Sequence, residues 1–484
     1  MKINTLLYIC LACLTLTLFP SCDDELDIQP RQGLESDQVF TSPSNLEAAL
    51  NGAYSEIKGT FGASFAGELY GGDFNIMSEL LSADSNVIWG GSFNTYQEIF
   101  GKDITITNGV VNRNWLRAYQ AINNINNVLA NLDVAADQNQ RDRVEGEART
   151  MRGMLYFNLV RFWSRPWGTG TENTDPGVPL VLEPVTTVED AERTANLGRS
   201  TVAEVYAQVL DDLTTAENLL KSFGGNSTGI STHTAAAILS RVYLQQGRYR
   251  EAAEAASRVI ESGLYSLNGN PLSAFNNSAN TSEDVFAIQQ TALSNAGMSN
   301  AGLATFYASL NGAGRGDIQV QEPHLRIFEA GDLRGGLQTD LSQSATIVNV
   351  SEFYYIGVGT QNSGQIQCAK YGEPTLNIPV VRLAEMYLTR AEGNFEAGTT
   401  TGAAPADDIN VVRQRAGLSP IGNPTRQDIR LERQRELAFE GFRLHDFKRW
   451  QLTIGGLPWD APSLILPIPE RELEAYDIQQ NEGY

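Results

Sequence analysis

Glu436 and Glu440 are the two carboxylates whose spacing best suits acid–base chemistry. Residues four apart on a helix share a face, and paired carboxylates are what glycoside hydrolysis needs. Their surroundings point elsewhere. Glu432, Arg433, Arg435, Arg443, Asp446 and Arg449 crowd the same run, and opposite charges at helical spacing favour ion pairing over a titrating acid. Gly225-Asn226-Ser227-Thr228-Gly229 matches the serine motif GxSxG. A nucleophile elbow turns from a strand into a helix, whereas this stretch reads as a Gly-rich turn between two helices. His233, His324 and His445 are far apart, and none stands in HExxH or at ligand spacing from a cysteine. No dinucleotide fingerprint or P-loop occurs. The expectation is no catalytic residue, no metal site and no cofactor: the chain reads as a binder, not an enzyme.

Capture of a sugar needs flat aromatic faces for the C–H-rich side of the ring and planar hydrogen-bonding groups for its hydroxyls. The stretch Ser82 to Tyr96 combines both, with Asp84, Asn86, Trp89, Phe93 and Tyr96 as the candidate ligand-binding residues. Trp89 stands before a Gly pair, a poor place for a core helix or central strand. Its indole either offers a stacking face or plugs a groove between loop and scaffold. Tyr307, Tyr354 and Tyr355 are further candidates in a later stretch, while Trp163 and Trp167 read as packing residues.

The elements that must hold these residues are mostly helical. Ser42-Pro43 is a cap followed by Pro in the first turn, and Leu46, Leu50, Ala53 and Ile57 then share a face. Trp115, Tyr119, Ile122, Ile125, Leu129 and Leu132 form a second stripe. Ala148, Met151, Leu155, Leu159 and Phe162 form a third, and Val202, Val205, Val209, Leu213, Ala216 and Leu220 a fourth. Thr232 to Tyr265 reads as a helix–turn–helix unit of the tetratricopeptide kind. Leu239, Val242 and Tyr243 lie before Gly247, and Ala252, Ala253, Ala256 and Val259 after it. A looser pair spans Pro379 to Gly417. One such pair cannot bury its own apolar face, so the pairs must stack. The expected fold is mainly α: tetratricopeptide-like helix pairs forming an α-solenoid scaffold, with large irregular loop insertions near 59–107 and 266–372. Both insertions are rich in Gly, Ser and Asn, and their interspersed aromatics argue for order.

The N-terminal residues read as an export signal. Lys2 precedes an apolar run from Leu6 to Phe19, shorter than the ~20 residues that span a bilayer. Cys22 follows Ser21 where the apolar run ends, like the acylated cysteine of a bacterial lipobox, and an acidic tether, Asp23-Asp24-Glu25-Leu26-Asp27, follows it. This divides the chain into a signal peptide (1–21), an acylated N-terminus and tether (22–41) and the scaffold (42–484). Cys10 and Cys13 fall in the removed segment and Cys368 is left alone, so no internal disulfide is expected. The formal charge is −22, with 57 acidic against 35 basic residues. Nucleic acid is excluded and a strongly anionic polysaccharide disfavoured; a neutral glycan is the simpler ligand.

Taken together, these stretches resemble the SusD/RagB family over essentially the whole mature chain. The resemblance is carried by CDDELDIQP from Cys22, EARTMRGMLYFNLVRFWSRPWG, GVPLVLEPV and RSTVAEVYAQVLDDLTTAENLL. Further on come VVRLAEMYLTRAEG, INVVRQRAGL, IRLERQRELAFEGFRLHDFKRW and the closing ILPIPERELEAYDIQQNEGY. Their order and spacing make the match specific. The resemblance implies a lipid-anchored protein on the outer face of the outer membrane. It also implies that this protein binds oligosaccharides or polysaccharides, or peptides in some branches. A TonB-dependent transporter of the SusC type is the implied partner, with the lipoprotein as its hinged lid. Within the early loop, Trp89 and Asp84 match the family's ligand-binding positions best. The alternatives are a surface-attached glycoside hydrolase or esterase, and a peptide-binding member of the family.

Overall fold

Ser42 begins the first helix as its sequence implies: its hydroxyl accepts from the Asn45 N–H at 3.3 Å, with Pro43 in the first turn. The structure is a computed structural model that describes residues 40–59, 67–225, 228–296, 300–338 and 352–484. The leader, Cys22 and the tether lie outside the described residues. Among those described, the helices in chain order are α1 (Pro43–Ile57), α2 (Asp73–Leu81), α3 (Asn94–Gly101), α4 (Gly109–Ala130) and α5 (Gln138–Trp163). Then come α6 (Val188–Ala195), α7 (Val202–Leu219), α8 (Thr232–Gln245), α9 (Tyr249–Ile260), α10 (Leu303–Tyr307) and α11 (Glu322–Leu325). The last are α12 (Leu383–Ala397), α13 (Pro405–Arg415), α14 (Arg426–Glu436), α15 (Arg443–Arg449) and α16 (Glu470–Ala475).

The long helices pack in a continuous series, α1 on α4, α4 on α5, then α7, α8, α9 and α12, with α13 and α14 against α12. The apolar stripes of α1, α5 and α7 are buried residue for residue as their spacing requires. In the second stripe Trp115, Ile122 and Ile125 are buried, while Tyr119 and Leu129 are half-exposed. The hairpin α8–α9 is the tetratricopeptide-like unit, and it continues onto α12 although more than a hundred residues separate them. That contact depends on small residues: a Cβ on Gly393 of α12 would stand 2.6 Å from the Tyr249 carbonyl oxygen and 3.1 Å from Ala253 Cβ. The helical solenoid expected from the periodicity is the observed scaffold.

The inserted stretches are more regular than their composition suggests. The first holds α2, β1 (Val87–Trp89) and α3. The second holds β2 (Asp284–Ile288), β3 (Ile318–Val320), β4 (Leu337–Gln338), β5 (Tyr354–Ile356) and β6 (Ile366–Cys368), together with α10 and α11. Ile378–Arg382 is a strand, β7, so the second helix pair starts at Leu383 rather than Pro379. β7 pairs antiparallel with β2 at the root of the insertion. The other strands form one sheet in the order β1-β3-β6-β5-β4. β1 lies antiparallel to β3, Val87 opposite Val320 and Trp89 opposite Ile318. The two insertions, separate in sequence, therefore share a sheet.

Buried ion pairs fasten the second insertion to the scaffold. Arg382 on β7 reaches Glu283 at 2.6 Å, Glu436 at 3.1 Å and Glu440 at 2.7 Å. Arg415 joins Glu283 at 2.6 Å and also pairs with Glu436. Arg334 from the insertion reaches Asp332 at 2.8 Å, Glu432 at 2.7 Å and Glu436 at 3.1 Å, and Lys370 reaches Glu440 at 2.6 Å. No helix among the described residues is long and apolar enough to cross a membrane.

Candidate functional site

The structure moves most of the candidate aromatics into the core, a correction to their reading as ligand faces. Tyr307, Tyr354 and Tyr355 are each 0 % exposed, and an enclosed ring has no face left for a sugar. Their hydroxyls are engaged inside the protein. Tyr307 donates to Asn75 Oδ1 at 2.9 Å, Tyr354 meets His324 Nε2 at 2.7 Å, and Tyr355 accepts from the Ser309 N–H at 2.9 Å. Trp89 is 6 % exposed. Its ring lies 5.0 Å from Tyr96 and 5.4 Å from Phe306, so the groove-plugging alternative describes it. Tyr96 is buried as well, donating to Asp73 Oδ1 at 2.7 Å. Asn86 is buried and local in role, its side-chain oxygen accepting from the Asp84 N–H at 2.8 Å. Asp84 is exposed at the opposite end of β1 from Phe93.

Phe93 keeps a partly exposed ring. It caps the start of α3 and rests on the buried cluster, 6.4 Å from Tyr96 and 6.3 Å from Phe306. The Arg315 guanidinium lies 4.7 Å from the centre of this ring, a cation–π contact. Arg315 is aimed by its neighbours. Its Nε donates to Asp317 Oδ2 at 2.8 Å, and its two terminal nitrogens reach Asn300 Oδ1 and Ser92 Oγ, each at 3.3 Å. Burial pushes the Asp317 carboxyl up, and Arg315 only partly offsets that.

Asn362 completes the rim. Its backbone is left-handed, φ 51°, which Asn tolerates better than most residues. Its amide donates to the Arg315 carbonyl at 2.8 Å and to Asp317 Oδ1 at 3.2 Å, and it accepts from Gln319 Nε2 at 2.9 Å. The glycine pair after Trp89 allows this closeness. A Cβ on Gly90 would fall 2.0 Å from Gln319 Nε2, and one on Gly91 would fall 2.7 Å from Asp317 Cγ. The result is an aromatic edge beside a guanidinium and a planar amide, with the buried Asp317 and Gln319 behind them holding Arg315 and Asn362 in place; a ring edge, a guanidinium and an amide are groups that hydroxyl-rich rings use. Sequence reasoning named Phe93 and did not name Arg315, Asp317, Gln319 or Asn362, which the fold brings beside it. The signal for Arg315 and Asp317 is the turn-rich stretch Asn311-Gly-Ala-Gly-Arg-Gly-Asp317, which reads as a loop and gives no hint of what it faces; Gln319 and Asn362 carry no such signal.

The charge cluster at the end of α14 is structural in geometry and electrostatics, and Glu440 lies beyond the helix, past the left-handed Phe439, so the two carboxylates do not share a helix face. Burial would raise the Glu436 carboxyl, but Arg415, Arg382 and Arg334 outweigh it and hold it below the usual carboxylate range. At Glu440 burial is likewise outweighed, by Arg382 and Lys370, and that carboxyl is lowered too. A glycosidase acid needs the opposite shift. Gly225 and Gly229 lie in the connection from α7 to α8, with no strand before it, and Ser227 lies outside the described residues. His233, His324 and His445 are each pushed down by burial, His324 to about 3. Among the described residues, no group of three or more His, Cys, Asp or Glu is placed to hold a metal ion.

Comparison with known proteins assigns the architecture. A SusD-like family model, described as starch-binding and associating with the outer membrane, matches residues 26–244, and the SusD family model matches residues 337–484. SusD-like protein P2 of Formosa agariphila is 27 % identical, over 91 % of this chain and 89 % of that protein. The starch-binding protein SusD of Bacteroides thetaiotaomicron is 35 % identical over 127 residues, 23 % of this chain and 22 % of that protein. Among solved structures, a SusD superfamily protein from Bacteroides thetaiotaomicron matches with a TM-score of 0.73 at 23 % identity, covering 91 % of this chain and 100 % of that one. A SusD-like carbohydrate binding protein from Bacteroides vulgatus matches at 0.67 and 23 %, covering 85 % and 84 %. The structural matches carry the fold, and the family models span both the early helices with their loop and the ion-paired C-terminal region: the chain belongs to the SusD/RagB family.

Proposed function

We propose that this protein is a non-catalytic, cell-surface lipoprotein that captures oligosaccharides or polysaccharides and passes them to a SusC-like TonB-dependent transporter in the outer membrane. The observation that carries the reading is the Phe93 face, where a partly exposed ring meets the Arg315 guanidinium, itself held by the buried Asp317 and, with Gln319, by Asn362 at the rim. The hydrolase alternative has no support at Glu436 and Glu440, whose lowered carboxyls are committed to buried ion pairs. Phe93→Ala removes the exposed ring, and loss of a binding hot spot costs about 2 kcal/mol or more, over tenfold in affinity. Titration calorimetry against a panel of neutral polysaccharides should show that loss with a near-native melting temperature. Unchanged affinity in Phe93→Ala, or no glycan bound by the native protein, would remove the reading.

The division into signal peptide (1–21), acylated tether (22–41) and scaffold (42–484) is part of the proposal. Cys22→Ser is expected to release the protein from the membrane fraction, since acyl chains contribute ~0.8 kcal/mol per buried methylene. Fatty-acid labelling should mark the native protein and not the variant. Membrane retention of the Cys22→Ser variant without label would refute the anchor.

A further inference from the structure

A cleft of about 780 Å³ lies between the second half of α1, the start of α5, the loop residues Phe223 and Ile230, and the end of β2. That is within the range of small-ligand sites, roughly 300–1,000 Å³. By contrast, the cavities beside Arg161 and beside Glu79 measure about 70 and 20 Å³, room for a few waters at most.

One wall of the cleft is saturated. The Tyr54 hydroxyl donates to Glu147 Oε2 at 2.6 Å and accepts from the Ile230 N–H at 2.8 Å. The other Glu147 oxygen takes Arg143 at 2.9 Å, and Arg143 also pairs with Glu47. Lys58 is different. Its ammonium donates to the Gln289 carbonyl at 3.3 Å and to Ser294 Oγ at 2.6 Å, both uncharged. It forms no ion pair with a carboxylate among the described residues. An ammonium has three protons to donate, so among the described residues one donor and an unbalanced charge are left on a side chain that lines the cleft. Burial pushes this ammonium down, which an anionic ligand would reverse.

The cleft is poorly made for an extended peptide. Adding a strand to β2 would need free carbonyls along its edge. Those of alternate residues are taken: Val285 by Thr234 Oγ1 at 3.3 Å, Ala287 by Gln289 Nε2 at 2.9 Å, and Gln289 by Lys58. Phe223 supplies a half-exposed ring at the mouth, a surface for the C–H face of a sugar.

We propose that this cleft is a second ligand site, taking a uronic acid or a short oligosaccharide that carries one, with the carboxylate on Lys58 and the ring against Phe223. The chain's charge of −22 repels a long polyanion, which restricts the class to short acids. The proposal goes beyond the Phe93 face and stands without it. The test titrates sodium glucuronate and galacturonate, with glucose and galactose as neutral partners, into the full chain. The variants are Lys58→Met, Lys58→Arg and Phe223→Ala, with Phe93→Ala as the other-site control and melting curves throughout. Uronates should bind more tightly than their neutral hexoses, and salt should weaken them. Lys58→Met should lose at least tenfold, Lys58→Arg should retain part of the affinity, and Phe93→Ala should be unchanged. Equal affinity for acid and neutral sugar, undiminished binding in Lys58→Met, or a loss confined to Phe93→Ala overturns the proposal, as does failure of any uronate to bind in the millimolar range. If Lys58→Met does not fold, Lys58→Arg and Phe223→Ala decide: full affinity in Phe223→Ala refutes the site.

Discussion

Glu436→Ala is expected to destabilise the protein by about 3–5 kcal/mol, the usual effect of removing one partner from a buried ion pair. Glu436 is fully buried and faces three guanidinium groups, from Arg334, Arg382 and Arg415. Without its carboxylate those charges lose a shared counter-ion in a place water does not reach. Glu436→Gln keeps the shape and should still lose much of the same stability, which separates charge from packing. The pH dependence has a definite sign. A carboxyl whose folded value is depressed adds stability that is fully present above its unfolded value, about 4.3. That stability is lost as pH falls from there towards the folded value. Unfolding by urea at pH 7 and again near pH 3 should therefore show a smaller acid-induced loss in Glu436→Gln than in the native chain. A denaturation midpoint unmoved in Glu436→Ala would mean that the ion network holds nothing together.

Trp89→Ala should be the other severe variant, and its damage should appear in stability before ligand affinity. Truncating a buried Trp costs about 3–5 kcal/mol through lost transfer energy and the cavity left behind. Here the indole packs against Tyr96, Phe306 and Gly91, and Tyr96 and Phe306 in turn carry the Phe93 ring. Trp89→Phe retains an aromatic ring and discards a buried indole N–H that has no partner among the described residues; an orphaned donor is a standing cost, so this change should be much milder. Chemical denaturation of the two variants decides the matter. A near-native midpoint in Trp89→Ala with weakened glycan binding would return Trp89 to the ligand face.

The helical scaffold was legible because its causes are local. A stripe of Leu46, Leu50, Ala53 and Ile57 behind a Ser-Pro cap specifies both a helix and its buried face, and the structure buries those four residues. That Glu436 and Glu440 would be paired was legible from the charge density of their run, but neither pairs with a neighbour at helical spacing, and Glu440 lies past the end of α14. Their partners were not legible. Arg334, Arg382 and Lys370 come from sequence positions 54 to 102 residues away.

The candidate site shows the limit most clearly. Aromatics clustered in a Gly-rich loop look the same in sequence whether they face water or a core. Chain proximity alone requires Trp89, Phe93 and Tyr96 to lie near one another; which of their rings stays exposed depends on long-range packing. β1 pairs with β3 from the other insertion, and that pairing brings Arg315, Asp317 and Asn362 over the Gly90-Gly91 backbone. It also leaves Phe93 partly exposed on Tyr96 and Phe306, while Trp89 and Tyr96 are buried. Side-chain exposure on a strand depends on register and on what covers each face. Both are set by contacts between residues more than two hundred positions apart, which no local spacing encodes.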